Sequence, residues 1–336
     1  MKHLKIWIIL SCLIGEVQTI CGQPLPISKL SDINVRDPYI LPDSATQTYY
    51  LYHTSSTEGK DGQPLGGVEV YKSKDLMNWE GPTRVFTVPE DNWITGIVWA
   101  PEVHKYKGKY YLFATLNSDI VWKRNPPGWV DYTFRGTQIF HADSPEGPFL
   151  PFGKMPHTPI DQMALDGTLW VEDETPYMIY CHEWVQVEDG RMELIRLTPD
   201  LSATEGPPIT LFAASAAEWS TGVKLRPSLP KSYVTDGCFL YRTKTGKLVM
   251  IWSSFTHENY AIGLAESVTG KVTGPWRQQK EPIFSKNGGH GMIFRTFDGK
   301  LCITLHGPNT PLGQERALIY ELEDKGNTLV LKERLY

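Results

Sequence analysis

The stretch Asp166-Gly-Thr-Leu-Trp170, followed across a turn by Tyr177-Met-Ile-Tyr180, is one copy of a pattern that the chain writes five times. The other copies pair Asp37-Pro-Tyr-Ile40 with Tyr49-Tyr-Leu-Tyr52, and Ala100-Pro-Glu-Val103 with Tyr110-Tyr-Leu-Phe113. Two more pair Asp236-Gly-Cys-Phe-Leu240 with Leu248-Val-Met-Ile-Trp252, and His290-Gly-Met-Ile-Phe294 with Leu301-Cys-Ile-Thr-Leu305. Repetition at a period of roughly 40 to 70 residues marks a radial or stacked array, because each unit is one supersecondary element that buries its faces against its neighbours.

Short runs rich in Tyr, Val, Ile, Phe and Trp recur between Gly, Pro, Asp and Asn clusters, and helical periodicity is absent after the first residues, which is all-β patterning. Lys107-Gly108, Thr245-Gly246 and Asp298-Gly299 each lie between two such runs and read as hairpin tips. A third type of run follows the second strands, as in Gly67-Val-Glu-Val-Tyr-Lys-Ser-Lys74, Thr137-Gln-Ile-Phe-His-Ala-Asp143 and Tyr260-Ala-Ile-Gly-Leu-Ala-Glu-Ser267. Three or four strands in each of five repeats predict a five-bladed β-propeller with blade boundaries near residues 90, 160, 220 and 285. No linker, low-complexity tract or charge run divides it, so residues 23–336 are expected to be one propeller domain.

The 41% apolar and 21% charged residues predict a buried core rather than disorder. A net charge of -5 argues against a phosphate-tracking surface, so nucleic acid is excluded as a partner. Lys2 and Lys5 precede the apolar run Ile6–Gly15, which is too short to span a bilayer and reads as a secretory signal ending near residue 22. A secreted or periplasmic, monomeric protein is expected, with a lipid anchor as an alternative because Ile9-Leu-Ser-Cys12 loosely resembles a lipoprotein processing site. Cys12 and Cys21 would leave with the signal, and Cys181, Cys238 and Cys302 sit inside apolar strands as buried free thiols. No Cys-x-x-Cys or His-Glu-x-x-His spacing points to a transition metal.

In a propeller the first strands surround the central channel, so the leading residues of the repeats converge at one mouth. Asp166 precedes Tyr177 by 11 residues, Asp236 precedes Leu248 by 12 and His290 precedes Leu301 by 11. This counting places Asp37, Ala100, Asp166, Asp236 and His290 at equivalent stations. The ends of the antiparallel second strands return to the same rim, bringing Thr115, His182, Glu183, Trp184, Ser253, His306 and Asn309 there. Three clustered carboxylates raise one another's pKa. Glycoside hydrolysis needs such a cluster: one carboxylic acid protonates the leaving oxygen and another carboxylate activates water, about 6.5 to 9.5 Å apart for inversion.

Arg36-Asp37-Pro-Tyr39, Trp99-Ala-Pro-Glu-Val103, Leu165-Asp166 and Gly289-His290-Gly291 together resemble glycoside hydrolase family 43, in order and over nearly the whole mature chain. The resemblance implies a five-bladed enzyme that inverts configuration at arabinosyl or xylosyl linkages, of α-L-arabinofuranosidase or β-xylosidase type, with plant cell-wall carbohydrate as substrate. It implies Asp37 as general base, Asp166 as the residue that orients the acid, and a calcium ion near His290 in the central channel, with no organic cofactor. The family's acid is a glutamate in a Glu-Gly-Pro setting, whereas this chain has Asp236-Gly237-Cys238, one methylene shorter. Asp236 is expected to serve, with Glu183 on the rim as the substitute. Trp99, Trp184, Trp252 and Arg295 are the candidates for substrate contact. A sugar-binding propeller without catalysis and a β-galactosidase-type member remain as alternatives. Sucrose and fructan hydrolases are disfavoured because their Asn-Asp-Pro-Asn-Gly motif is missing.

Overall fold

The computed structural model describes residues 25–60, 62, 64–224 and 231–336. The signal reading, with Cys12 and Cys21, therefore lies outside the described residues.

Five antiparallel sheets follow one another along the chain, four of four strands and one of five, and form a five-bladed propeller. The innermost strands are Tyr39–Asp43, Ile97–Tyr106, Ala164–Glu172, Asp236–Arg242 and Gly289–Arg295, which open blades 1 to 5. Each blade then runs outward strand by strand, so its order in space is its order in sequence. Blade 1 is the exception at its outer edge, where Ile27–Lys29 adds beside Asn78–Thr87. Breaks between sheets fall at 88–96, 152–163, 214–235 and 279–288, around the expected boundaries. Arg316–Asp324 and Leu329–Arg334 are the third and fourth strands of blade 5.

A strand points successive side chains to opposite faces, and both faces of every sheet here are covered by neighbouring blades. That is why the strands read as continuous apolar runs rather than as alternations. In Leu248–Phe255, Val249 and Ile251 face blade 5 and pack with Ile293, Ile303 and Leu305. Leu248, Met250 and Trp252 face blade 3 and pack with Ile179, Met192 and Phe212. Phe113, Ile139, Met178 and Ile195 fill the wedge between blades 2 and 3. The largest cluster joins blades 1, 2 and 5. Each such side chain contributes about 1.5–3 kcal/mol on burial.

The hairpin tips stand where their dipeptides place them: Lys107 and Gly108 take φ of 47° and 82°, Gly246 takes 82° and Gly299 takes 90°. The ring closes between blades 5 and 1 without a shared sheet. Val35 N–H donates to Glu315 O, the Asn34 amide to Gly313 O, and Arg316 to Ser31 O. Among the described residues no helix is long and apolar enough to cross a membrane.

Two expectations for the site fail at this level. Trp252 is fully buried, ringed by Trp219 at 4.7 Å and Phe212 at 5.4 Å, with its Nε1–H donated to Gln278. The two-residue period that turns Ser253 toward His290 of blade 5 turns Trp252 into the wedge with blade 3. Arg295 ends its strand beside the Asp298-Gly299 tip, donating to Gly299 O and Tyr241 Oη at the end opposite the mouth. Neither side chain is at the mouth.

Candidate active site

The mouth is built by one device repeated around the ring. Trp99 pairs with Thr115 and Glu102 with Phe113, so three steps on the inner strand match two on its neighbour. The same slip separates Leu165 from Thr168, Asp236 from Phe239, and Gly289 from Met292. Each is a β-bulge, whose extra residue leaves the ladder and is re-aimed. That extra residue has left-handed backbone: φ is 41° at Ala100, 56° at Asp166, 47° at Gly237 and 50° at His290. Asp37, two residues ahead of Tyr39, has 51° and is the blade 1 equivalent.

The bulge corrects the expected register in blade 4. The station equivalent to Asp37, Ala100, Asp166 and His290 is Gly237, not Asp236. Asp236 stands one place earlier, level with Arg36, Trp99, Leu165 and Gly289. The count of 12 rather than 11 residues from Asp236 to Leu248 was its sequence signal. Glycine is required at the station, because a Cβ on Gly237 would lie 2.6 Å from His290 Cγ.

A bulged residue's amide has no ladder partner, and the preceding blade supplies one. Thr115 Oγ1 accepts from Asp166 N–H at 2.9 Å and Ser253 Oγ accepts from His290 N–H at 2.8 Å. Cys181 holds the same place in blade 3, and a thiol is a weak acceptor. Asp166 Oδ2 accepts from Gly237 N–H instead, at 3.0 Å. One carboxylate oxygen is thus tied into the scaffold.

The ring brings Asp37, Asp166, Asp236 and His290 together. His290 Nδ1 lies 3.2 Å from Asp37 Oδ1 and 3.7 Å from Asp166 Oδ2. His306 Nδ1 lies 3.0 Å from Asp37 Oδ1, and its Nε2 faces Asn309 Oδ1, which also accepts from Arg36. Arg36 is held by Glu315 at 3.1 Å. Tyr260 O–H donates to Asp236 Oδ2 at 2.9 Å, and its ring stacks on His306.

These neighbours push the three carboxyls apart. Burial alone would raise Asp37, but the charges of His290, His306 and Arg36 with the His306 hydrogen bond outweigh it, so Asp37 sits below the usual carboxylate range. Asp236 is pushed up to about 7, first by burial and then by the Asp166 charge, against His290 and Tyr260. Asp166 is pushed up to about 8 by burial and by Asp37, with the Gly237 amide opposing. Asp166 and Asp236 titrate as a pair, and the pair keeps at least one proton at neutral pH while Asp37 has none.

Glu183 is on the rim but belongs to a different arrangement. It forms a tight buried ion pair with Arg135, which also donates to Asn117 Oδ1 and whose guanidinium carbon lies over the Trp99 ring, 4.6 Å from its centroid. Burial raises the Glu183 pKa and the Arg135 charge opposes the rise. Trp184 is half-buried beside it, edge-on to Trp129.

Sequence reasoning missed Tyr260 and Arg135. Tyr260 opens the third strand of blade 4 opposite Phe255, so carrying the register one strand further out would have found it. Arg135 is 48 residues from Glu183 and in another blade, with no local signal of the pairing.

The resemblance also implies a channel calcium near His290. Calcium takes about six to eight oxygen ligands, so the His290 imidazole, set between Asp37 and Asp166, would contribute one ligand to a shell made mainly of water.

Residues 30–325 match the model of glycosyl hydrolases family 43. The chain is similar to the endo-arabinase of Bacteroides thetaiotaomicron, with 39% identity, a TM-score of 0.78, and coverage of 89% of this chain and 98% of that one. A thermostable family-43 glycoside hydrolase shares the fold at 23% identity and a TM-score of 0.70, covering 89% of this chain and 93% of that one. Shorter segments resemble two curated proteins. The extracellular exo-alpha-(1->5)-L-arabinofuranosidase ArbA of Cellvibrio japonicus is 28% identical over 93 residues, 26% of this chain and 23% of that protein. The extracellular endo-alpha-(1->5)-L-arabinanase 1 of Bacillus subtilis is 29% identical over 90 residues, 25% of each. The matched segment spans about a quarter of these relatives' length.

Proposed function

The chain belongs to glycosyl hydrolase family 43, and on that premise we propose that it is an exported, inverting glycoside hydrolase that cuts α-L-arabinosyl linkages of plant arabinans. The observation that carries the proposal is the grouping of the three carboxyls at the mouth: Asp37 against the imidazoles of His290 and His306, and Asp236, accepting from Tyr260, beside Asp166 in a pair whose burial favours keeping a proton. The preference for arabinosyl over xylosyl linkages rests on what the similar endo-arabinase and the two curated relatives are named for, and export on the word extracellular in two of those names.

In this reading Asp37 takes a proton from water as the water oxygen attacks the anomeric carbon. The glycosidic C–O bond breaks and its oxygen receives the proton of Asp236. Tyr260 O–H then stabilises the Asp236 carboxylate left behind, and Asp166 keeps Asp236 in place and protonated beforehand. Glu183, bonded to a guanidinium, is an acceptor and not a proton donor.

The test is release of reducing sugar from arabinan and arabino-oligosaccharides, with the first product followed by anomeric proton NMR. Inverted product is expected, and a retained anomer would remove the mechanism. General acid catalysis contributes about 10²–10⁴ in rate. Asp236→Asn should lose that factor on oligosaccharides and recover much of it on a 4-nitrophenyl glycoside, whose leaving group needs no proton. If Glu183→Gln shows that signature and Asp236→Asn does not, the acid is Glu183.

A further inference from the structure

The strand Leu301–Gly307 ends one residue past His306, and the bend that follows returns Asn309 to the histidine. Asn309 N–H donates to Asn287 O at 2.7 Å, which fixes its backbone. Its buried side-chain oxygen meets two groups that both face Asp37: Arg36 Nη2–H donates to it at 2.8 Å, and His306 Nε2 lies 3.2 Å away. A guanidinium only donates, so the Asn309 atom that it faces is the amide oxygen and not the amide nitrogen. That oxygen has no proton to give, so the ring nitrogen opposite it, Nε2, carries one.

The other edge of the imidazole presents Nδ1 to Asp37, 3.0 Å from Oδ1 and 3.3 Å from the backbone nitrogen. Tyr260 stacks on this ring at 5.7 Å with 16° between the planes, which sets the plane but not the edge that meets Asp37. A half-turn about the Cβ–Cγ bond would keep the stacking and put Cδ2, a carbon, where Nδ1 stands. The same half-turn would set Cε1 instead of Nε2 against Asn309, so the Asn309 oxygen is what tells the two orientations apart. Arg36 is a second arm. It spans Asn309 and the nearly buried Glu315, which itself accepts from Gly313 N–H at 2.7 Å.

The contacts of the Asp37 carboxyl with Arg36, at 3.9 Å, His290, at 3.2 Å, and His306 all fall on Oδ1, and among the described residues none falls on Oδ2. One oxygen is anchored and the other is left for a ligand, so the carboxylate plane is set before water arrives. We infer that Asn309 is a positioning residue for the general base: its oxygen locks the orientation of His306 and the place of Arg36, and these hold Asp37 Oδ1 so that Oδ2 takes the proton of the attacking water. The inference rests on the role given to Asp37 in the function proposed above. Asn309 acts through His306 and Arg36 and touches no reacting atom. A misplacement of about 1 Å at a reacting group costs about 10²-fold in rate, which sets the scale of the expected effect.

The experiment measures kcat and KM on arabinotriose and on 4-nitrophenyl α-L-arabinofuranoside for the wild type, Asn309→Ala, Asn309→Leu and Asn309→Asp, with melting temperature as the check of folding. Alanine and leucine remove the acceptor, leucine while filling the space, and aspartate keeps it. The first two should lose about 10²-fold in kcat while KM changes far less, and aspartate should recover most of the loss. The loss should be equal on the two substrates, because water attacks in both. A loss confined to arabinotriose would place the defect at the proton donor and overturn the inference, as would folded alanine and leucine variants with wild-type kcat, or an aspartate variant as impaired as alanine. Nitrogen NMR of histidine-labelled wild type, with His306 assigned from His306→Gln, reads the ring directly. A proton on Nε2 is expected, and an Nε2 without one overturns the clamp even where the variants fail to fold. A wild type that hydrolyses neither substrate sinks the function proposed above and the positioning role with it, whereas the other outcomes leave that function standing.

Discussion

Replacing Tyr260 by phenylalanine removes one hydroxyl from the site, and the structure says what that changes. The phenol donates to Asp236 Oδ2 at 2.9 Å, and it is a neutral donor because burial, then the charges of Asp236 and Asp37, hold its own pKa well above 10. Phenylalanine keeps the packing on Phe255 at 5.1 Å and on His306 at 5.7 Å. A hydrogen bond to a charged group contributes about 1.5–3 kcal/mol, and one pKa unit is about 1.36 kcal/mol, so losing it raises Asp236 by about one to two units above its value near 7. The acid works protonated, so activity is present below its pKa and lost as pH rises through it. The alkaline limb of kcat/KM, which reports the free enzyme, should therefore move up by about one to two units. The removed bond also stabilises the carboxylate formed after proton transfer, so kcat on the plateau should fall about tenfold or more. Rates on arabinotriose across about pH 5 to 10 measure both. An alkaline limb that stays in place or moves down refutes Asp236 as the group that titrates there.

Gly237→Ala places a Cβ 2.6 Å from the His290 ring at a φ of 47°, so both turnover and melting temperature should drop, by about 1–3 kcal/mol in stability. Gly246→Ala, at a φ of 82° with open space around it, is the control that reads backbone strain alone, and equal effects of the two would remove the steric argument. Asp166→Asn tests the buried acid through stability. Its carboxyl is pushed up to about 8 in the folded chain against about 3.9 unfolded, so its own contribution to stability is fully present below about pH 4 and is lost as pH rises through about 8. The asparagine still accepts from Gly237 N–H but cannot ionise, so the variant's melting temperature relative to wild type should rise between about pH 5 and 8. A difference that does not vary with pH would mean that Asp166 is ionised throughout.

The five blades were legible because blade formation is local. A strand buried on both faces is written as an unbroken apolar run, and its hairpin partner follows within a dozen residues, as in Asp166–Tyr177 or His290–Leu301. The repeat also pointed to Asp37, Asp166 and His290 together, since equivalent positions in a closed ring must converge. Trp252 and Ser253 are adjacent in sequence, yet one packs toward blade 3 and the other supports His290 of blade 5; which neighbour each face meets depends on the adjoining sheet.

From the amino-acid sequence alone came the all-β class, the count of five, the mouth at which the stations meet and the set of acidic residues there. Tertiary structure decided the rest. The bulges, one extra residue set against a partner strand, put Gly237 rather than Asp236 at the fourth station. Contacts between blades held Glu183 to Arg135 and gave Asp236 the phenol of Tyr260. Protonation was decided there too, because three aspartates with one intrinsic pKa became an ionised carboxylate and a proton-sharing pair only through burial and the charges that the closed ring set beside each.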